Sequence, residues 1–293
     1  MARYERELSR TLDCGATPRI DVRTVDGPVE VRGEDRAGVR VTAIVRFRAD
    51  TDDEADSIMR AVEAGIHGDV GHVYVHSPAT EDGALLGPVR HVFGRHRHIE
   101  MDVEIVAPRG SSLALRHVNG SVELRGIGGD VTVHMVNGRF EASEIGANLT
   151  VHHVNGRAIV RDVGGNIEIS HTNGAIDVER ARGDVRLQLV NGSADIAEAG
   201  GSVAVKGVSG AYTFSGAVHN DVTMSNARGS IILNLPRDSR FQLDAESALG
   251  GVTSELSISD SETGSGQAPR VKLRSEIGRI ELRALREPAP AVV

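Results

Sequence analysis

One spacing repeats through the middle of the chain. Asn-Gly recurs at Asn119-Gly120, Asn137-Gly138, Asn155-Gly156, Asn173-Gly174 and Asn191-Gly192, every eighteenth position, and Ser209-Gly210 keeps the count once more. A fixed period of this length marks stacked supersecondary units, each of which needs its neighbours to bury an apolar face. The period says how the chain folds and leaves its activity open, because one fold hosts many activities.

With each Asn set at zero, apolar residues recur at +3 (Val122, Phe140, Ala158, Ile176, Ala194, Tyr212), +5 (Leu124, Ala142, Val160, Val178, Ile196, Phe214) and +8 (Ile127, Ile145, Val163, Ala181, Ala199, Ala217). A second set follows at +12 (Val131, Leu149, Ile167, Val185), +14 (Val133, Val151, Ile169, Leu187) and +17 (Val136, Val154, Thr172, Val190, Val208). Alternation by two is strand periodicity, so each repeat reads as two short strands and two turns, with no room for a helix. Equivalent strands in successive repeats then lie side by side about 4.8 Å apart, with like residues in ladders. The predicted fold is all-β, a single-stranded parallel β-solenoid that completes one coil per Asn-Gly period, with one short helix inserted. A hexapeptide helix would place its apolar residues every six, which these rows do not. Bulky Phe140 beside small Ala142 and Ala158 keeps the layer volume level.

Gly accepts φ > 0 without a Cβ clash, and Asn tolerates the same region while its amide can bond to the Asn above and below. Asn119, Asn137, Asn155, Asn173 and Asn191 are therefore predicted to form a structural turn ladder. Gly129-Asp130, Ala147-Asn148, Gly165-Asn166 and Gly183-Asp184 mark the opposite turn.

The repeats are clearest at 117–215, and fainter echoes at Asp26-Gly27 and Ile277-Gly278 extend one solenoid domain over 1–286. An insertion is expected at about 49–97, with a helix near 51–65. There Thr51 and Glu54 have capping-box spacing, and Ile58, Met59, Val62 and Ile66 make a stripe that packs on the sheet or covers an end. Segments 79–97 and 257–269 read as mobile, and 287–293 as a flexible tail.

Aromatics are only 3% of the 293 residues, with no Trp, while Gly numbers 34; a thin, turn-rich core fits these figures. Basic residues number 33 against 41 acidic, for a net charge of −8, and no basic block tracks a phosphate backbone, so nucleic acid is excluded as a partner. Cys14 is the only cysteine and reads as an inert small residue. The charged segment from Met1 to Gly15 resembles no signal peptide, and nothing reaches the roughly 18 apolar residues of a membrane span, so a cytoplasmic location is expected.

Taken together, Val25-Asp26-Gly27-Pro28-Val29-Glu30-Val31-Arg32-Gly33, Ile105-Val106-Ala107-Pro108-Arg109-Gly110, the Val-Asn-Gly series, and Leu233-Asn234-Leu235-Pro236 leading into Phe241-Gln242-Leu243-Asp244-Ala245 resemble the bacterial putative-adhesin domain of unknown function, also called the toast-rack domain. The resemblance spans nearly the whole chain. It implies a β-solenoid in an envelope-stress, adhesion-like or scaffolding context, and it carries no catalytic residues.

Histidine is the candidate metal ligand. His134 and His152 stand at −3, and His117, His153 and His171 at −2. Imidazoles on neighbouring coils would be close enough to share zinc, but no Cys or carboxylate completes four ligands. The set therefore reads as a polar, solvated ladder that charges below about pH 6.5. His91, His96 and His98 form a second loop group with the same reading. Glu123 with Glu141 and Asp177 with Asp195 stack at +4, as acid pairs of polysaccharide-cleaving β-helices do, yet Arg125, Arg139, Arg157 and Arg161 lie near enough to screen them. Gly128-Gly129-Asp130 lacks the middle element of a calcium-binding roll, and no nucleophile elbow, phosphate loop or zinc-protease motif is present. The expectation is a non-enzymatic scaffold or protein-interaction module with no cofactor and no metal, whose partner is a protein or a second copy. The alternatives are a self-assembling, cytoskeleton-like polymer and a polysaccharide-binding or polysaccharide-cleaving β-helix.

Overall fold

A computed structural model describes residues 2–78, 99–256 and 268–285. The protein is all-β, with one α-helix among the described residues. The chain divides into two compact units, Met1–Gly156 and Arg157–Val293.

In the first unit, β1 (Ala2–Leu12), β2 (Arg19–Asp26), β3 (Val29–Glu34) and β4 (Val39–Ala49) precede α1 (Asp52–Gly65). Then come β5 (Ile66–Asp69), β6 (His72–His76), β7 (Glu100–Pro108), β8 (Ser112–Asn119), β9 (Val122–Arg125) and β10 (Val131–Ile145). β11 (Leu149–Val163) runs through the boundary. β10 pairs in parallel with β8 and β9, Val131 opposite Leu113 and Phe140 opposite Val122, so that partners stand one Asn-Gly period apart in the chain. β8 and β9 also pair in parallel with β2 and β3, Leu113 opposite Ile20 and Val122 opposite Val29, far apart in the chain, and the other edges of β2 and β3 take β6 and β7. The β6/β7 segment therefore lies outside the β2/β3 segment that precedes it in the chain, and β6 belongs to the parallel sheet although the sequence assigns it to an insertion. Residues 79–97 of that stretch lie outside the described residues.

Antiparallel strands close this unit's edge: β4 lies on β7, β1 on β4, and β5 on β6. Thr51 caps α1 by accepting from the Glu54 amide at 3.3 Å, and the Glu54 carboxylate reaches back to the Asp50 amide at 2.8 Å. Ala55, Ile58 and Val62 are its buried face. The outermost strand, β1, shows solvent a row of charges, which blunts an open sheet edge.

The second unit continues with β12 (Ile167–Ala181), β13 (Val185–Ala199), β14 (Val203–Ser209), β15 (Tyr212–Ser215), β16 (Val222–Arg228) and β17 (Ile231–Leu235). β18 (Gln242–Leu249), β19 (Val252–Ser254), β20 (Arg270–Ile277) and β21 (Ile280–Ala284) complete it. β12 and β13 pair one period apart, Ile167 opposite Val185, as do β13 and β14/β15. From β14/β15 to β16/β17 the spacing is one position longer, Val203 opposite Val222. β20 and β21 then insert between β16/β17 and β18/β19, so the last segment in space is not the last in the chain. There Leu243 and Ala245 are only half-buried, whereas Val271 and Leu273 beside them are fully enclosed.

In the central repeats of both units the rows at +3, +5, +8, +12 and +14 are buried, except that Ala217 at +8 is exposed. The row at +17 is not: Val136 and Val154 are 39% exposed, Val190 44% and Val208 52%. Strand alternation continues unbroken from +12 and +14 to +16, so the inward side chains before each Asn are His117, Met135, His153, His171 and Leu189. The other phase change lies at +7. Glu144, Asp162, Arg180 and Glu198 have φ of 55–57°, and this left-handed residue shifts the alternation so that +8 points inward.

Candidate functional site

The Asn side chains form hydrogen-bonded files. In the first unit Asn119 donates to Asp26 at 2.8 Å, Asn137 to Asn119 at 2.9 Å and Asn155 to Asn137 at 2.9 Å; in the second, Asn191 donates to Asn173 at 3.1 Å. The glycines that follow are held to that residue type by the neighbouring strand, since a Cβ on Gly138 or Gly192 would overlap the carbonyl oxygen of Gly120 or Gly174. At the opposite turn Asp130 accepts from the Asn148 amide at 3.1 Å, and Asp184 accepts from the Ser202 amide at 3.0 Å. These files are internal architecture.

The candidate histidines His134, His152, His153 and His171 do not form one solvated ladder, because adjacent residues of a strand point to opposite faces. His134 and His152 are exposed and stack with ring centroids 4.7 Å apart at 21°. Two nitrogens on one tetrahedral zinc lie about 3.4 Å apart, so this face-to-face stack is the wrong arrangement for sharing an ion. Burial, then the His152 and Arg116 charges, push the His134 imidazole down. His153 and His171 are inward, 2% and 3% exposed. His171 Nε2 lies 2.7 Å from the Asn173 carbonyl, which can only accept, so Nε2 carries the proton. His117, on the same inward row, has its Nδ1 2.8 Å from Thr24 Oγ1. Among the described residues no group of three or more His, Cys, Asp or Glu side chains is arranged to hold a metal ion. His91, His96 and His98 lie outside the described residues.

Both acid pairs stand in register, Glu141 opposite Glu123 and Asp177 opposite Asp195. Arginine meets one member of each: Arg139 reaches Glu141 at 2.8 Å and Arg157 reaches Asp177 at 2.7 Å. Over the second pair, in the second unit, lies a shallow groove of about 200 Å³ with Ile159 in its wall and Arg161, Asp177, Glu179 and Asp195 around it. Arg161 is bound to Glu179 at 3.2 Å, so the groove's charges are largely matched within the chain. Cys14 is buried, and that burial pushes its thiol pKa up.

An aromatic cluster not expected from the sequence lies on the outer face of the first unit. Tyr74 stacks with His67 at 5.0 Å and His72 at 6.3 Å, and meets His76 edge-on at 5.7 Å. The sequence signal was His72-x-Tyr74-x-His76, whose alternation sends all three side chains to one face.

No protein-family model matches the chain, and no curated protein does. Solved structures are similar to it at low identity. One is a putative cell adhesion protein from Clostridium sporogenes, at 12% identity over 96% of this chain and 100% of that one, TM-score 0.25. Another is a putative lipid binding protein from Parabacteroides distasonis, at 9% identity over 96% and 97%, TM-score 0.36. A third is a putative adhesin from Bacteroides fragilis, at 11% identity over 94% and 97%, TM-score 0.34. No helix among the described residues is long and apolar enough to cross a membrane.

Proposed function

We propose that each unit winds as a parallel β-solenoid with one coil per Asn-Gly period, and that the protein is a non-catalytic scaffold or interaction module that presents its flat outer faces to a partner. The observation that carries this reading is the in-register parallel pairing of strands one period apart, as in β10 on β8/β9 and β12 on β13. Such pairing turns single side chains into straight files on a rigid surface, and it leaves valines standing on an outward row where solvent alone would favour polar residues. The acid pairs that a glycan-cleaving enzyme would use have arginine on one member. The toast-rack resemblance adds an envelope or adhesion-like context, and a cytoplasmic location stays part of the proposal, tested by cell fractionation.

Incubation with neutral and acidic polysaccharides, followed by a reducing-end assay, tests the non-catalytic part. Turnover abolished by Asp177→Asn or Glu141→Gln would overturn it. A second reading, self-assembly through the terminal coil, is favoured by half-exposed Leu243 and Ala245 on β18. Sedimentation velocity over a hundredfold concentration range decides between them, since a persistent monomer removes the polymer.

A further inference from the structure

Asn-Gly is a labile pair as well as a turn. The backbone nitrogen of the following residue can attack the Asn side-chain amide, and glycine, having no Cβ, hinders that attack least. All five Asn side chains of the Asn-Gly series are exposed, so what restrains each amide decides which of them reacts. In the first unit Asn119 donates to Asp26 at 2.8 Å and accepts from Asn137 at 2.9 Å, and Asn137 accepts in turn from Asn155 at 2.9 Å. Asn119 and Asn137 are therefore held at both ends, and Asn155 and Asn173 have interactions beyond those of the files. Asn191 is held at one end. It donates to Asn173 at 3.1 Å, but the next strand brings Ser209 opposite it, and among the described residues no group donates to Asn191 Oδ1.

The main chain sets Asn191 and Asn119 in matching places. Pairing of β13 with the following strands stops at Asn191 opposite Ser209 and resumes at Ala194 opposite Tyr212. Around Asn119 it likewise stops at Asn119 opposite Asn137 and resumes at Val122 opposite Phe140. Local sequence is the same too, Val118-Asn119-Gly120-Ser121 and Val190-Asn191-Gly192-Ser193. What separates the two positions is the second side-chain hydrogen bond.

We infer that Asn191 is a site of spontaneous deamidation in the folded protein, reacting with water ahead of the other four. The Gly192 nitrogen loses its proton to hydroxide and attacks Asn191 Cγ. A Cγ–N bond forms and closes a succinimide ring, the Cγ–Nδ2 bond breaks, and Nδ2 leaves as ammonia with a proton from water, which returns the hydroxide. Water then opens the ring. Cleavage of the Cγ–N bond gives aspartate, and cleavage of the backbone C–N bond gives isoaspartate. A carboxylate accepts where the Asn191 amide donated, so the bond to Asn173 is lost with either product. Isoaspartate also lengthens the main chain within a strand that β12 pairs through this corner, Gly174 opposite Gly192, and so shifts its register.

The test is peptide mapping by mass spectrometry of the intact protein held at pH 8.5 and 37 °C, following the amide-to-acid exchange at each Asn-Gly, beside the same protein unfolded in urea. Asn119 is the internal standard. The expected result is equal rates at Asn119 and Asn191 in urea, and in the folded protein a loss at Asn191 at least about fivefold faster, the factor one additional hydrogen bond supplies. Ser209→Asn, which continues the file, should slow Asn191 by about the same factor and make the introduced amide the reactive end. Thermal melts establish that the variant folds, and the ratio of Asn191 to Asn119 in the parent protein decides the matter should it fail. Equal folded-state rates at these two positions, earlier loss at any other Asn-Gly of the parent, or an unslowed Asn191 in folded Ser209→Asn overturns the inference. So does a folded protein that keeps all five amides while the unfolded chain reacts to completion.

Discussion

Thr24 Oγ1 and His117 Nδ1 lie 2.8 Å apart inside the first unit, brought together across 93 positions of sequence by the pairing of β2 with β8. Both side chains are 2% exposed. Burial pushes the His117 imidazole down to about 4, against the opposing pull of the Asn119 backbone and the Asp26 carboxylate. The unfolded chain takes up a proton near pH 6.5 that the folded chain refuses until about pH 4. Stability is therefore full above pH 6.5 and falls on acidification through that window, by about 3 kcal/mol for this one group. Urea midpoints at pH 7 and pH 4.5 should show the fall, and His117→Gln should flatten it. An unchanged slope in the variant would remove His117 as the cause.

The stacked glycines make a sharper demand. Gly192 has φ of 150°, and a Cβ there would overlap the Gly174 carbonyl oxygen, whereas a Cβ on Gly251 would meet nothing within 4 Å. Gly192→Ala should destabilise the protein by about 3 kcal/mol or more, because backbone of the adjacent strand must move. Gly251→Ala should be near neutral. Chemical denaturation of the two alanine variants checks the contrast, and equal losses would refute it.

Glu198 offers the opposite case, a left-handed residue with φ of 55° that is not glycine. Gly126, at the equivalent place in a repeat of the first unit, has φ of 70°, so glycine is accommodated in this conformation. Relief of the left-handed penalty outweighs the added chain entropy, so Glu198→Gly should raise stability by about 0.5–1 kcal/mol. A lower melting temperature for the variant would contradict this.

Cys14 is 3% exposed and has its thiol pKa raised by burial. Ellman's reagent should leave it unreacted in the native protein and modify one thiol per chain in denaturant. Rapid native labelling would show that the segment around Cys14 opens readily.

The inward rows were legible because a strand's period of two is strict, and the Asn files because identical residues at a fixed spacing come into register. Helix α1 was legible from its cap, Thr51 with Glu54. The row at +17 was misjudged because Val136 and Val154 look like core by composition, while the inward place beside them belongs to Met135 and His153. The corner at +7 was signalled only by Gly126 and Gly216 at the ends of the file, since Glu144, Arg180 and Glu198 are not residues that favour positive φ. Gly207 is a related case: its row is filled elsewhere by His, Met or Leu, but here the Tyr212 hydroxyl occupies the space a Cβ would need.

By itself the sequence determined the repeat spacing, the strand content and the files of like residues, because alternation and repetition are local properties that every segment carries. Only the tertiary structure decided the order of the segments. β20/β21 slips between β16/β17 and β18/β19, and β6/β7 takes the outer edge of β2/β3. A strand pairs with whichever open edge matches its register and buries its inward side chains, and that edge need not belong to its neighbour in the chain. The same choice set Arg23 between His76 and Arg116, residues that lie far from it and from each other along the chain.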